Sequence, residues 1–238
     1  MKRLMVFCAV ALLCIVGDFT FASSTESSAF FGKSFVGGRQ KGGVIQIFEK
    51  IDYFGLSDSH LQKFISQGSG LNNPRYAPSD LVALSSSQSL SIQGNRSLRQ
   101  EASENLFQLS LAFYGEFQKP LVVMSAYRSY EYQKNQIAES CKQSGYCARE
   151  GESEHQLGLA VDLWEATNEE RFLAKYQEYY DWLAGNAYLF GFHQSYQNGR
   201  GVDGYFIEPW HWRYLGVDLA TKLWENGQTF AEFVGYGD

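Results

Sequence analysis

Residues 153–162, Ser153-Glu154-His155-Gln156-Leu157-Gly158-Leu159-Ala160-Val161-Asp162 (SEHQLGLAVD), set a histidine and an aspartate at either end of an apolar run. The chain has only 4 histidines, so the placement needs a reason. From Gly158 the residues read as a strand. Alternation then puts Gly158, Ala160, Asp162 and Trp164 on one face and Leu159, Val161 and Leu163 on the other. The second set suits a core. Asp162 shares its own face with two very small residues, which leaves space beside the carboxylate. A buried carboxylate must be paired, hydrogen-bonded or metal-bound, because burying a bare charge is very costly. The turn at Gln156-Leu157 can fold His155 back toward the strand. Taken alone, the pair fits either a metal site or a hydrogen-bonded core His and Asp.

A second cluster follows in Glu208-Pro209-Trp210-His211, with an acid three residues before a histidine. Histidine is a good zinc ligand, and Glu is a common base for deprotonating a zinc-bound water. His155, Asp162 and His211 together make three protein ligands. That number leaves the fourth zinc position open, as catalysis requires. A structural zinc would want four ligands. Arg128, in Ser125-Ala126-Tyr127-Arg128-Ser129, lies between a strand and a helix, where sites are commonly built. Its guanidinium can grip a carboxylate with two parallel hydrogen bonds. Gln133, one turn into that helix, offers a neutral donor. His60 lies among polar residues and reads as solvated. His193 is the competing ligand.

The flanking sequence gives the fold class. Residues 80–84 (DLVAL) form a short apolar run. Residues 97–117 read as an amphipathic helix with Ser97 as N-cap and Ala102, Leu106, Leu109 and Phe113 on one face. Residues 120–127 (PLVVMSAY) read as a buried strand. Ser129 caps a helix over 130–140. Thr167 and Glu170 form a capping box for a helix reaching about Gly185. Residues 204–216 are extended, with Pro209 marking an edge or a kink. A last helix runs from Val217 to about Glu225. The expected fold is α+β: a small, mostly antiparallel sheet flanked by helices.

The 238 residues, 45% hydrophobic and 19% charged, describe a globular chain rather than a disordered one. A net charge of -6 argues against a nucleic-acid partner, which would call for clustered Lys and Arg. Lys2 and Arg3, then an apolar run over 4–16, then Thr20 and Ala22 at an A-x-A-like end, read as a secretory signal over residues 1–22. The run is shorter than the ~20 residues of a membrane-spanning helix, so no transmembrane domain is expected once the signal is cleaved. Retention as an N-terminal anchor is the alternative. Residues 23–70 read as a Ser/Gly-rich leader and a small helical appendage over 44–67, and residues 71–238 as the main domain. Export places the protein in the periplasm or cell envelope. In that oxidising setting Cys141 and Cys147 read as a disulfide closing a small loop, with a metal pair as the alternative.

Four ordered segments, SAYRSYEYQ (125–133), GESEHQLGLAVDL (151–163), WLAGNAYLFGF (182–192) and GYFIEPWHWRYLG (204–216), closely resemble the zinc D-alanyl-D-alanine carboxypeptidases of the vancomycin-resistance type. That family also includes L,D-carboxypeptidases of cell-wall recycling. The resemblance covers about residues 71–216. It implies a fold shared with Hedgehog-type signalling domains and one Zn2+ per chain, held by His155, Asp162 and His211. It implies Glu208 as catalytic base. Arg128 would bind the substrate carboxylate or the developing oxyanion, helped by Gln133 and Ser153. The implied substrate is a peptidoglycan stem peptide that loses its C-terminal D-alanine. L,D-carboxypeptidase, endopeptidase and dipeptidase activities on wall peptides are the alternatives, and a non-catalytic wall-binding module is the rival from another class. The chain departs from many relatives after Phe192, where residues 193–199 (HQSYQNG) replace an Arg-Tyr-Pro-like segment.

Overall fold

The computed structural model describes residues 40–41, 44–45, 51–94, 96–137, 147–163 and 177–237. The signal over 1–22, Cys141, Trp164 and the Thr167–Glu170 capping box lie outside the described residues. The chain divides into two units, Met1–Lys50 and Ile51–Asp238. In the first, β1 (Gln40–Lys41) pairs antiparallel with β2 (Val44–Ile45).

The second unit is built on a five-stranded sheet. Its strands are β4 (Leu90–Ile92), β6 (Leu121–Ser125), β7 (Ala160–Leu163), β8 (Phe192–Gln194) and β9 (His211–Tyr214). Their spatial order is β4-β6-β7-β9-β8. Only the β4–β6 pair is parallel; the other three pairings are antiparallel. A separate ribbon joins β3 (Leu81–Ala83) to β5 (Ser97–Arg99). The α+β class and the mostly antiparallel sheet are as expected.

Helix α1 (Gln100–Phe117) starts later than the sequence implied. Residues 97–99 are drawn into pairing with β3, so Ser97 sits in a strand and caps nothing. Tertiary pairing outweighs the local cap signal here. The apolar face is the expected one: Ala102, Leu106, Leu109 and Phe113 are fully buried. They pack with Leu121 and Val123 of β6, with Val161 and Leu163 of β7, and with Tyr179 and Leu183 of α3 (Gln177–Asn186). Ser129 does cap α2 (Tyr130–Tyr132), accepting from the Tyr132 N–H. The helix then widens into a π turn over Gln133–Ile137. Beyond α3 come α4 (Arg200–Asp203), α5 (Val217–Asn226) and α6 (Phe230–Val234).

Residues 51–67 form no helix; they run as turns with an isolated bridge. Aspartates explain why. Asp52 accepts the Phe54 and Gly55 backbone N–H groups, and Asp58 accepts those of Asn72 and Asn73. Such side-chain acceptors offer the backbone an alternative to helical bonding. The unit boundary falls at Lys50/Ile51, so residues 51–70 belong with the sheet. Phe64 and Ile65 are buried there, Phe64 among Leu215, Leu219, Leu223 and Phe230.

Candidate metal centre

Residues 154–163 fold as a short 3-10 helix, Glu154–Leu157, followed by strand β7. Gly158 joins them in a left-handed conformation, φ 67°. That conformation favours glycine, and a Cβ here would lie 2.8 Å from a Leu81 methyl. The room beside Gly158 is therefore filled by Leu81, Arg99 and Pro78 rather than left for a ligand. The glycine turns the chain so that His155, on the helix, faces Asp162, on the strand.

Sheet register supplies the rest. Asp162 lies opposite Ser125 of β6 on one side and His211 of β9 on the other. The β6–β7 register shifts between Val123 and Ser125, at this level; such irregularities commonly re-aim side chains near sites. His155 Nε2 comes to 3.2 Å from Asp162 Oδ1, and His211 Nδ1 to 3.3 Å from the same oxygen. The two imidazoles meet edge to face, with centroids 4.9 Å apart. The three residues offer ligand atoms all within 4.8 Å of one another. Asp162 Oδ1 is buried and, among the described residues, has no hydrogen-bond partner. An orphaned carboxylate oxygen between two imidazole nitrogens is a donor set suited to zinc.

Each of the three residues is oriented from behind. His155 Nδ1 lies 2.8 Å from the Ala126 carbonyl, which can only accept, so Nδ1 carries the proton and Nε2 faces the group. Arg128 donates to Asp162 Oδ2 at 2.6 Å and to the Ser125 hydroxyl at 2.9 Å. His211 Nε2 lies 2.8 Å from Glu154 Oε2. Glu154 also accepts from Ser195 at 2.7 Å and faces the Arg213 guanidinium at 3.4 Å. Tyr196 stacks on the His211 ring at 4.5 Å.

Charge balance follows from this packing. Burial opposes ionisation of Glu154, but the His211 hydrogen bond and the Arg213 charge outweigh it and bring its carboxyl down to about 2. Burial likewise opposes ionisation of Asp162. The His155 and Arg128 charges reverse that and hold it well below the usual carboxylate range. Burial and the Arg128 charge push His155 down to about 4. For His211 burial is outweighed by the two carboxylates beside it, Asp162 and Glu154, which lift it to about 9. The two carboxylates beside His211 thus favour its protonated form.

Glu208 occupies the turn before β9, with Oε2 3.9 Å from His211 Nδ1 and a partly exposed side chain. Gln133 is buried and donates one N–H to the Ala148 carbonyl, while its Oε1 has no partner among the described residues. It therefore offers an acceptor as well as the expected donor. Ser153 is buried two residues before His155. His193 stays outside the group: its Nε2 accepts the Phe230 N–H at 3.2 Å. Sequence reasoning missed Glu154, Ser125, Ser195, Tyr196 and Arg213. Glu154 carried a signal, a charged residue inside an otherwise buried stretch; its partners 41 and 59 positions away carried none.

Comparison with known proteins agrees with this geometry. The family model "VanY: D-alanyl-D-alanine carboxypeptidase" matches residues 95–217. A D-alanyl-D-alanine carboxypeptidase of Enterococcus faecalis is 35% identical over 129 residues, covering 48% of this chain and 47% of the relative. The chain thus spans about half the length of that relative. Among solved structures, the LD-carboxypeptidase LdcB superposes with a TM-score of 0.62 at 28% identity, covering 76% of this chain and 88% of that one. The vancomycin resistance D,D-pentapeptidase VanY from a VanB-type cassette, solved with Zn(II), gives 0.57 at 26% identity, covering 72% and 97%. With half the chain matched, the chain belongs to the VanY D-alanyl-D-alanine carboxypeptidase family.

Proposed function

We propose that the chain is a zinc-dependent carboxypeptidase that removes the C-terminal D-alanine from peptidoglycan stem peptides. One observation carries the reading: the His155–Asp162–His211 group has an orphaned carboxylate oxygen at its centre and Glu208 at its open edge. When bound, zinc supplies a Lewis acid and an acidified water. Glu208 takes the proton from the attacking water and returns it to the leaving amine. Arg128 holds Asp162 in place through one guanidinium nitrogen, and its remaining N–H groups serve the substrate carboxylate or the developing oxyanion. Gln133 and Ser153, both buried next to these groups in sequence, orient the peptide.

A second reading has specific support. The similarity to LdcB favours an L,D-carboxypeptidase on the same scaffold. Mass spectrometry of muropeptides treated with the zinc-loaded protein separates the two. Conversion of pentapeptide to tetrapeptide with free D-alanine supports the first reading. Conversion of tetrapeptide to tripeptide supports the second. Cut cross-links would make it an endopeptidase, hydrolysis of free D-Ala-D-Ala a dipeptidase, and no cleavage at all a binding module. We further infer export by the signal over residues 1–22, a Cys141–Cys147 disulfide and action in the cell envelope. Among the described residues no helix is long and apolar enough to cross a membrane.

A further inference from the structure

Glu154 is nearly fully buried, yet it carries a carboxylate with three partners. Its Oε2 accepts both the Ser195 hydroxyl at 2.7 Å and the His211 Nε2–H at 2.8 Å. Its Oε1 faces Arg213 Nη1 at 3.4 Å. Arg213 is itself fully buried and tied to main chain. It donates to the Leu61 and Lys63 carbonyls at 2.8 and 3.3 Å and to the Tyr214 carbonyl at 3.1 Å. The relay runs from backbone at residues 61–63, outside the span matched by the family, through Arg213 and Glu154 to one ring nitrogen of His211.

We propose that Glu154 is a positioning residue that fixes the His211 ring with Nδ1 turned to the metal. The proposal rests on the reading of His211 as a zinc ligand. An imidazole has two nitrogens and a freely turning ring; a carboxylate on one of them settles which nitrogen keeps its proton and which presents its lone pair. A charged acceptor also makes the ring a stronger donor to the metal. Glu154 cannot bind the metal through Oε2 while that oxygen holds His211 and Ser195. His155 receives the equivalent service from the Ala126 carbonyl. The two histidines thus differ: one is oriented by neutral backbone, the other by an anion.

The test is zinc affinity by chelator competition on the full chain, with Glu154→Gln, Ser195→Ala and His211→Ala beside the parent. Glu154→Gln should weaken zinc about 10–100-fold, the usual range for such partners. In 15N–1H spectra of the zinc-loaded protein, the His211 Nε2 proton should move upfield and exchange faster. A merely structural role would lower the melting temperature of the zinc-free protein while leaving zinc affinity within twofold of the parent. If Glu154→Gln fails to fold, Ser195→Ala decides, with a several-fold loss of zinc affinity and a shift of the same proton in the same direction. Zinc affinity within twofold of the parent, in whichever of the two variants folds, overturns the proposal. Undiminished zinc affinity in His211→Ala would instead overturn the ligand reading beneath it.

Discussion

Strands β7 and β9 carry two different chemistries on their two faces. Facing residues share a side: Val161 stands opposite Trp212, while Asp162 stands opposite His211 and Ala160 opposite Arg213. Val161, Leu163, Trp212 and Tyr214 join the main hydrophobic core. On the other face, Asp162, His211 and Arg213 are equally buried but belong to a network of directed bonds. Apolar packing is non-directional and tolerates adjustment. The polar face is specified atom by atom, since a buried polar group without a partner costs about 1–3 kcal/mol. One atom breaks the pattern, Asp162 Oδ1, and it sits where the metal would. Both faces are buried, and what separates them is whether burial serves cohesion or chemistry.

Substitution can break this contrast. On the polar face, His155→Ala should abolish zinc retention and hydrolysis together, read by metal analysis and product release, while the zinc-free protein still melts cooperatively. On the apolar face, Leu163→Ala should cost about 2–5 kcal/mol in denaturant unfolding, the usual range for such a truncation. Zinc stoichiometry in the protein that remains folded should be unchanged. A variant from one face giving the phenotype of the other would dissolve the distinction.

Acid titration sharpens it further. His193 is buried, and burial, the dominant influence, pushes its pKa down to about 4. The unfolded chain, with a pKa near 6.5, binds that proton first as pH falls. Its contribution is therefore whole above about pH 6.5 and is lost progressively toward pH 4. The loss is at most about 3 kcal/mol, since each pH unit between the folded and unfolded values is worth about 1.4 kcal/mol. Urea unfolding of the zinc-free protein should show a shallower acid loss in His193→Gln, whose carbonyl can still accept the Phe230 N–H. His211 has the opposite sign. Lifted to about 9, it holds a proton that zinc must displace. Zinc affinity should therefore fall about tenfold, or about 1.4 kcal/mol, for each pH unit below 9. Chelator competition between pH 6 and 9 measures that slope, and a flat line would contradict the proton competition.

The alternation in residues 158–163 was legible because a strand has a period of two, and Leu159, Val161 and Leu163 all reached the core. The pairing of Asp162 with His211 was not, because register is set by contacts far apart in sequence. The His155, Asp162, His211 and Glu208 set came from the spacing of two short motifs and the resemblance they carry. The supports behind it, Ser195 and Arg213, lie in segments with no local mark of their role. Residues 51–67 look helical in sequence because their apolar spacing allows it, while Asp52 and Asp58 bond the backbone in ways no periodicity shows.

The central claim is that the polar face is a hydrolytic zinc site with Glu208 as its base. Paired measurement of zinc content and D-alanine release in Glu208→Ala tests it most directly. Zinc should stay stoichiometric while release falls by about 10²–10⁴-fold, the range for a lost general acid–base group. Release at the parent rate with zinc bound would contradict the account.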